Sequence, residues 1–361
     1  MAYDPALITQ KLQEKARALG FELFGVAAVQ DVPELLRYRE WIGAGYEAEM
    51  HYMARNAEKR TDPTLVVNGA QSVIVCGKNY HTRAPLSIEP APASAGWISR
   101  YAWGDDYHDV LKQRIRALYE YLVEITGGAV QGRYYVDTGP VLEKVWAQYA
   151  GLGWIGKNTC LINQHIGSYF FLAVIITDAK LTYSTPPPDR CGTCTRCIDA
   201  CPTEAIIGPY VLDAAKCISY LTIELRDRIP ESLRDKMGRH VFGCDICQDV
   251  CPWNRKAAVS LEPAFQPRPG NVNPDLGELL RMEQADFSER FRKSPVKRSK
   301  LRGLLRNALV AAGNSGHPGL LSQVEALQHH PDEMIQEHAK WAVEKLTTST
   351  KAKKEDAYVH D

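Results

Sequence analysis

One run of residues constrains this chain more than any other: Cys191-Gly-Thr-Cys194-Thr-Arg-Cys197-Ile-Asp-Ala-Cys201-Pro202. It reads C-x2-C-x2-C-x3-C-P, the spacing of bacterial ferredoxins with two 4Fe–4S clusters. Three thiolates two residues apart on one tight loop can wrap three corners of a cubane. The fourth, followed by a proline that cannot continue a helix, points away toward a second cluster. The partners for that second cluster come later, as Cys217 and Cys244-Asp-Ile-Cys247-Gln-Asp-Val-Cys251-Pro252. The spacing therefore assigns Cys191, Cys194, Cys197 and Cys251 to a first cluster, and Cys201, Cys217, Cys244 and Cys247 to a second. Structural zinc sites keep their C-x2-C pairs a dozen or more residues apart, which suits a triple run poorly.

The chain has 361 residues, enough for two or three domains, and 43 Lys+Arg balance 43 Asp+Glu. No global field therefore draws the protein to nucleic acid or membrane, and any such attraction is local. No apolar run approaches the ~20 residues of a bilayer span. The N-terminus has no secretory apolar stretch. Eight cluster-spaced cysteines fit a reducing compartment, so a cytoplasmic protein is expected.

The fold class expected is α+β, in three parts. Over residues 1–180, helices alternate with strands, as in an α/β unit. Helices are expected at Leu7 to Leu19, Pro33 to Ile42 (Asp31 as cap), Asp106 to Ile125 and Val141 to Tyr149. Strands are expected at Phe21 to Val29, Gln71 to Cys76, Arg133 to Asp137, Thr159 to Ile162 and Ser168 to Thr177. The last strand is apolar enough to be buried on both faces. Asp137 or Thr138 is positioned to cap the helix that follows. A Pro-rich linker leads into a ferredoxin-like module over 181–260. Residues 274–348 read as paired short helices resembling HEAT repeats, and 349–361 as a flexible tail.

Charge is concentrated in one place. Lys297, Arg298, Lys300, Arg302 and Arg306 crowd the start of a helix, a density that fits a phosphate partner. The glycine-rich turn Gly151-Leu-Gly-Trp-Ile-Gly156 follows an expected helix and not a strand, so it is no fingerprint for a nicotinamide cofactor. D-x-H-x-x-G is missing, because Leu111 stands where Asp106-Tyr-His108 would need a following glycine. The residues alone thus describe a redox enzyme with two clusters and a local anionic partner.

Several pieces together go further: Arg100-Tyr101, Gly104, Asp106-Tyr-His108, Asp137-Thr-Gly-Pro-Val-Leu-Glu-Lys144, Gly153-Trp-Ile-Gly-Lys-Asn158, Cys217-Ile-Ser-Tyr-Leu-Thr-Ile-Glu224 and both cysteine sets. Across roughly residues 50–255, this combination resembles the epoxyqueuosine reductases of tRNA queuosine synthesis. The resemblance implies cobalamin in the N-terminal unit, near the first cluster, and a family that does without the D-x-H-x-x-G ligand. Electrons would pass from an external donor, such as a flavodoxin or ferredoxin system, through the clusters to cobalt. The substrate would be epoxyqueuosine in a tRNA anticodon stem-loop, reduced to queuosine with loss of water.

By the same resemblance Asp137 is the proton donor. Burial beside a corrin would raise its pKa, whereas a capping role would lower it. Arg60, Tyr101, Asp137, Asn158, Ser168, Ser219 and Asp245 are the implied cobalamin contacts. Lys297, Arg298, Lys300, Arg302 and Arg306, with Arg226, are the implied tRNA contacts. A monomer is expected. Two other classes fit the residues in part: a corrinoid reductase of a small molecule, and a non-enzymatic electron carrier.

Overall fold

The structure is a computed structural model that describes residues 3–358, with side chains described up to residue 348. Its N-terminal part is built on a four-stranded sheet of β1 (Leu23–Ala28), β2 (Ser72–Asn79), β3 (Gly132–Tyr135) and β4 (Phe170–Thr177), in the order β1-β2-β4-β3. Every pair is antiparallel. This corrects the α/β expectation for this part: the sheet is that of an α+β unit. The apolar strand sequences report burial on both faces, which a helix layer on each side imposes whatever the strand direction.

Alternation along β2 and β4 sends successive side chains to opposite faces. Ile74, Cys76, Ala173 and Ile175 pack on one side, with Leu12 and Ala16 of helix α1 (Pro5–Ala18) and with Leu111, Ile115, Leu118 and Leu122 of helix α2 (Tyr107–Ile125). Val73, Val75, Val174 and Ile176 pack on the other, against Trp146 and Ala147 of helix α3 (Glu143–Tyr149). Each fully buried aliphatic side chain here is worth about 1.5–3 kcal/mol. Asp4 caps α1 and Asp106 caps α2 through their carboxylates. Between them, the helix Pro33–Gly43 starts from Val32 without a side-chain cap, so Asp31 does not act as one.

The other large core joins stretches far apart in sequence. Trp97, Ile98 and Trp103, the insertion residues Ile218, Leu221, Met237 and Phe242, and the C-terminal Leu304, Leu309, Ile335 and Leu346 share one apolar cluster. The expected C-terminal unit is thus packed into the insertion between Cys217 and Cys244. Its central helix α4 (Lys300–Ser315) lies against helix α5 (Glu333–Tyr358) and against the strand His240–Phe242. A helix at Gln284–Arg290, not expected from periodicity, opens with a capping box of Glu283 and Asp286. The backbone of α5 continues into the stretch expected as a tail; residues 359–361 of that stretch lie outside the described residues. No helix among the described residues is long and apolar enough to cross a membrane.

Candidate active site and cluster sites

Asp137 sits between β3 and α3, and it is not a cap. The N-cap of α3 is Leu142, without a side-chain bond. Asp137 instead adopts φ +58°, a left-handed conformation that few non-glycine residues take. Its own N–H donates to the Glu143 carboxylate at 2.7 Å. Two residues on, a Cβ at Gly139 would stand 2.3 Å from the Tyr135 ring, so only glycine lets the loop close this tightly. From the far side Arg60 donates to the carbonyls of Gly139 (3.2 Å) and Val141 (3.5 Å).

The Asp137 carboxylate accepts from the Tyr107 hydroxyl at 2.7 Å and lies 3.6 Å from Nε2 of His108. The other ring nitrogen of His108 meets Asp106 at 2.7 Å. Tyr107 is held between rings, stacked on Phe171 at 4.2 Å and on His108 at 4.1 Å. His108 therefore bridges two carboxylates. Burial works against charging its ring, but bonds to Asp106 and Asp137 outweigh this and raise its pKa to about 9. For Asp137, desolvation pushes upward and is outweighed by His108, Tyr107 and the charge of Lys144, so its pKa falls below the ordinary carboxylate value. Its side chain is 63% exposed, which limits what desolvation can do. The upward shift expected at Asp137 falls on Glu143 instead, through burial and then repulsion by Asp137. His108 and Tyr107 are functional candidates that stand out in the sequence only as part of a motif. The signal was present: a His two residues after a helix N-cap aspartate.

The thiols form two groups. Cys251 lies within electrostatic reach of Cys191 and Cys197, and Cys197 within reach of Cys191 and Cys194. Cys244 feels Cys217 and Cys201, while Cys247 feels Cys244 and Cys217. Burial raises the pKa of Cys197, Cys217, Cys244 and Cys251, and neighbouring thiols add to it. Burial thus penalises a bare thiolate at these positions, a penalty that a positive metal centre would offset. Among the described residues no three His, Cys, Asp or Glu side chains stand close enough to share a single ion. A cubane instead needs its thiolates apart, at the corners of a cage.

The turn Gly153–Asn158 grips both cysteine loops. Lys157 Nζ donates to the carbonyls of Gly192 (2.6 Å) and Cys194 (3.0 Å). Asn158 Nδ2 donates to the carbonyl of Cys247 (3.2 Å). The second cysteine set, not the first, adjoins the residues implied for cobalamin: Asn158 holds Cys247, and a Cβ at Gly243 would stand 3.5 Å from the Tyr101 ring.

The implied cobalamin contacts divide by what they touch. Asp245, 1% exposed, accepts from Trp97 Nε1, Ser99 Oγ and the Arg100 N–H, so it is a structural anchor. Ser168 Oγ accepts from Gln248 and Asn254. Asn158 is engaged by Cys247 and by the Cys160 N–H. Ser219 faces Cys217, whose thiol it helps to hold down. The polar atoms of these four thus have partners in the protein or beside the cysteines. Arg60 and Tyr101 remain at the Asp137 pocket. Arg60 keeps a buried Nε without a protein partner, a donor that fits an amide-rimmed ligand. With aromatic Tyr101 and Tyr107 at 6.2 Å, the wall suits a large flat macrocycle.

The basic segment is also divided. Arg306 is 1% exposed and donates to the carbonyls of Leu221, Leu225 and Asp227, so it cannot reach a phosphate. Arg298 forms a two-pronged pair with Glu224 at 2.6 and 2.9 Å. Arg302 pairs with Asp332, and Arg226 donates to the carbonyl of Arg298. Lys297 and Lys300 are exposed. Arg298 also stands near enough to Tyr52 and Asp137 for their charges to favour its protonated form, after the bond to Glu224. The basic segment therefore reaches the rim of the Asp137 pocket.

Residues 190–254 match the 4Fe-4S double cluster binding domain family, and residues 60–138 match the family described as epoxyqueuosine reductase QueG, DUF1730. The chain is 45% identical to the epoxyqueuosine reductase of Leadbetterella byssophila over 83% of this chain and 96% of that protein. It is 41% identical to that of Pseudomonas aeruginosa over 94% and 95%. Among solved structures, it is similar to an epoxyqueuosine reductase with a tRNA-Tyr epoxyqueuosine-modified stem loop, with TM-score 0.86 and 30% identity over 94% of this chain and 90% of that one. It is equally similar (TM-score 0.86, 29% identity, the same coverage) to the Bacillus subtilis enzyme with its catalytic Asp loop swung out of the active site. With its cysteine sets and its Asp137 pocket in one fold, this chain belongs to the epoxyqueuosine reductase family.

Proposed function

We propose that this protein reduces epoxyqueuosine to queuosine in the anticodon stem-loop of tRNA, using cobalamin and two 4Fe–4S clusters. The observation that carries the reading is the Asp137 carboxylate, held on left-handed backbone between Tyr107 and His108, in one fold with the two cysteine sets. The net reaction takes two electrons and two protons: the epoxide carbons lose their bridging oxygen, a C=C bond forms, and the oxygen leaves as water. Bound cobalamin and the clusters supply the electrons. Cys191, Cys194, Cys197 and Cys251 hold one cluster, and Cys201, Cys217, Cys244 and Cys247 the other. Arg60 and Tyr101 meet the corrin.

Protons are the work of this chain's own side chains. Asp137 gives a proton to the epoxide oxygen, and its loop is the counterpart of the catalytic Asp loop described for the Bacillus subtilis relative. Asp137 is held ionised at rest, so its proton comes from His108, 3.6 Å away and charged at neutral pH. Tyr107 fixes the carboxylate on the side facing the pocket. A closed, water-poor site then favours the neutral acid.

Residues 1–180 carry the corrin pocket, 181–260 the clusters, and the helices of 274–348 meet tRNA through Lys297, Arg298, Lys300, Arg302 and Arg226. An external donor of the flavodoxin or ferredoxin class feeds a monomeric enzyme. The test is anaerobic reconstitution with iron, sulfide and cobalamin, followed by turnover of epoxyqueuosine-tRNA. About one corrin retained per chain and queuosine in the digested tRNA are expected. Clusters without retained corrin would favour an electron carrier, and turnover of the free nucleoside as fast as tRNA would favour a small-molecule reductase.

A further inference from the structure

Trp154 is 2% exposed, and its Nε1 is buried without a hydrogen-bond partner. An orphaned buried donor costs about 1–3 kcal/mol, so its surroundings matter. They are sulfur: Trp154 shares a small core with Ile162 and Cys251, against which Cys191 and Trp253 pack. The Trp154 N–H lies within reach of the Cys191 sulfur. Trp146, whose Nε1 is also unpartnered, differs in this respect, because its neighbours are the aliphatic side chains and rings of the sheet core. The indole is also well fixed. Trp253 packs edge-on at 5.0 Å, and Lys157, three residues along the same turn, ties the turn to the carbonyls of Gly192 and Cys194. The turn and the first cysteine loop therefore move as one piece.

We propose that Trp154 donates its indole N–H to a sulfur of the first cluster and thereby raises that cluster's reduction potential. Reduction adds one negative charge to the cluster, and a fixed N–H dipole aimed at its sulfur favours the more negative state. Trp154 is thus a tuning residue, acting on the cluster and not on the substrate. The inference rests on the two-cluster reading above.

The test is an EPR-monitored redox titration of the full chain, reconstituted anaerobically, with Trp154→Phe beside wild type. Iron and sulfide content comes first: fewer than two clusters in wild type would overturn the two-cluster reading itself. With both clusters present, the variant should show a more negative midpoint for the first cluster and an unchanged midpoint for the second. Two unchanged midpoints in a cluster-replete variant would overturn the proposal. If the variant does not hold the first cluster, wild type carrying indole-15N tryptophan is measured by pulsed EPR. A 15N coupling to the reduced first cluster that persists in Trp253→Phe is expected. No coupling, or one lost in Trp253→Phe, would overturn it.

Discussion

Replacing Arg306 with methionine separates two readings of the basic segment. The side chain is buried in the shared core, and its guanidinium donates to Leu225 O at 2.9 Å and to Asp227 O and Leu221 O at 2.6 Å each. Burial lowers its pKa to about 10, which leaves it charged at neutral pH. Hydrogen bonds to a charged group are worth about 1.5–3 kcal/mol each, so three amount to roughly 5–9 kcal/mol. Methionine also removes a buried charge, and the relieved desolvation of several kcal/mol leaves a net loss of about 3 kcal/mol. With a urea slope of about 2–3 kcal/mol/M, the unfolding midpoint of the helical signal should fall by about 1–1.5 M. Filter binding of tRNA across a salt series completes the assay. Where the variant is folded, its salt slope should match wild type. An unshifted midpoint with a slope reduced by about one would refute the reasoning, because it would make Arg306 a phosphate ligand.

Asp137→Asn should keep both clusters and the corrin, while single-turnover reduction of epoxyqueuosine-tRNA falls by about 10²–10⁴-fold, the range of a lost general acid; near-normal turnover would remove the donor role. His108→Asn tests the bridge between carboxylates. The ring's pKa rises from 6.5 to about 9, so its contribution is complete below pH 6.5 and is lost as pH rises through about 9. The ceiling is about 3 kcal/mol, and screening of a side chain one-third exposed reduces it to about 1 kcal/mol. Wild type should therefore lose its stability advantage over the variant between pH 6.5 and 9.5, and a pH-independent difference in urea midpoints would count against the bridge. Arg298→Gln and Arg302→Gln should each flatten the salt dependence of tRNA binding by roughly 0.7–0.9 for every phosphate that is no longer neutralised, and two unchanged slopes would take the basic segment out of the interface.

The sequence was most legible where chemistry fixes the spacing. Cluster ligation dictates the intervals between cysteines, so a double-cluster domain could be read from spacing before any fold was known. Helix α2 was equally plain, with its Asp106 cap and its apolar face. Asp137 was legible as a residue but not as a geometry. The string Asp137-Thr-Gly-Pro looks like a helix start, yet the Glu143 carboxylate takes the Asp137 N–H and turns the backbone left-handed. The strands announced their burial but not their direction, because a helix layer on each face demands the same apolar residues in either case. Arg306 was misleading for a different reason. Its carbonyl partners lie some 80 residues upstream, and local charge density carries no trace of partners at that range.

The attachment of the Asp137 loop has a consequence for how often the acid is on station. Arg60 holds the loop at Gly139 and Val141, and Glu143 holds the Asp137 amide. Swinging outward means giving up these bonds, at about 0.5–1.5 kcal/mol net for each. Two or three of them bias the loop inward by about 2–3 kcal/mol, an occupancy ratio of roughly 30 to 150. On those terms the arriving substrate does not have to recruit its proton donor. If Asp137 is that donor, the substrate meets it already in place beside His108, which stands 3.6 Å away and can return the spent proton without the loop opening.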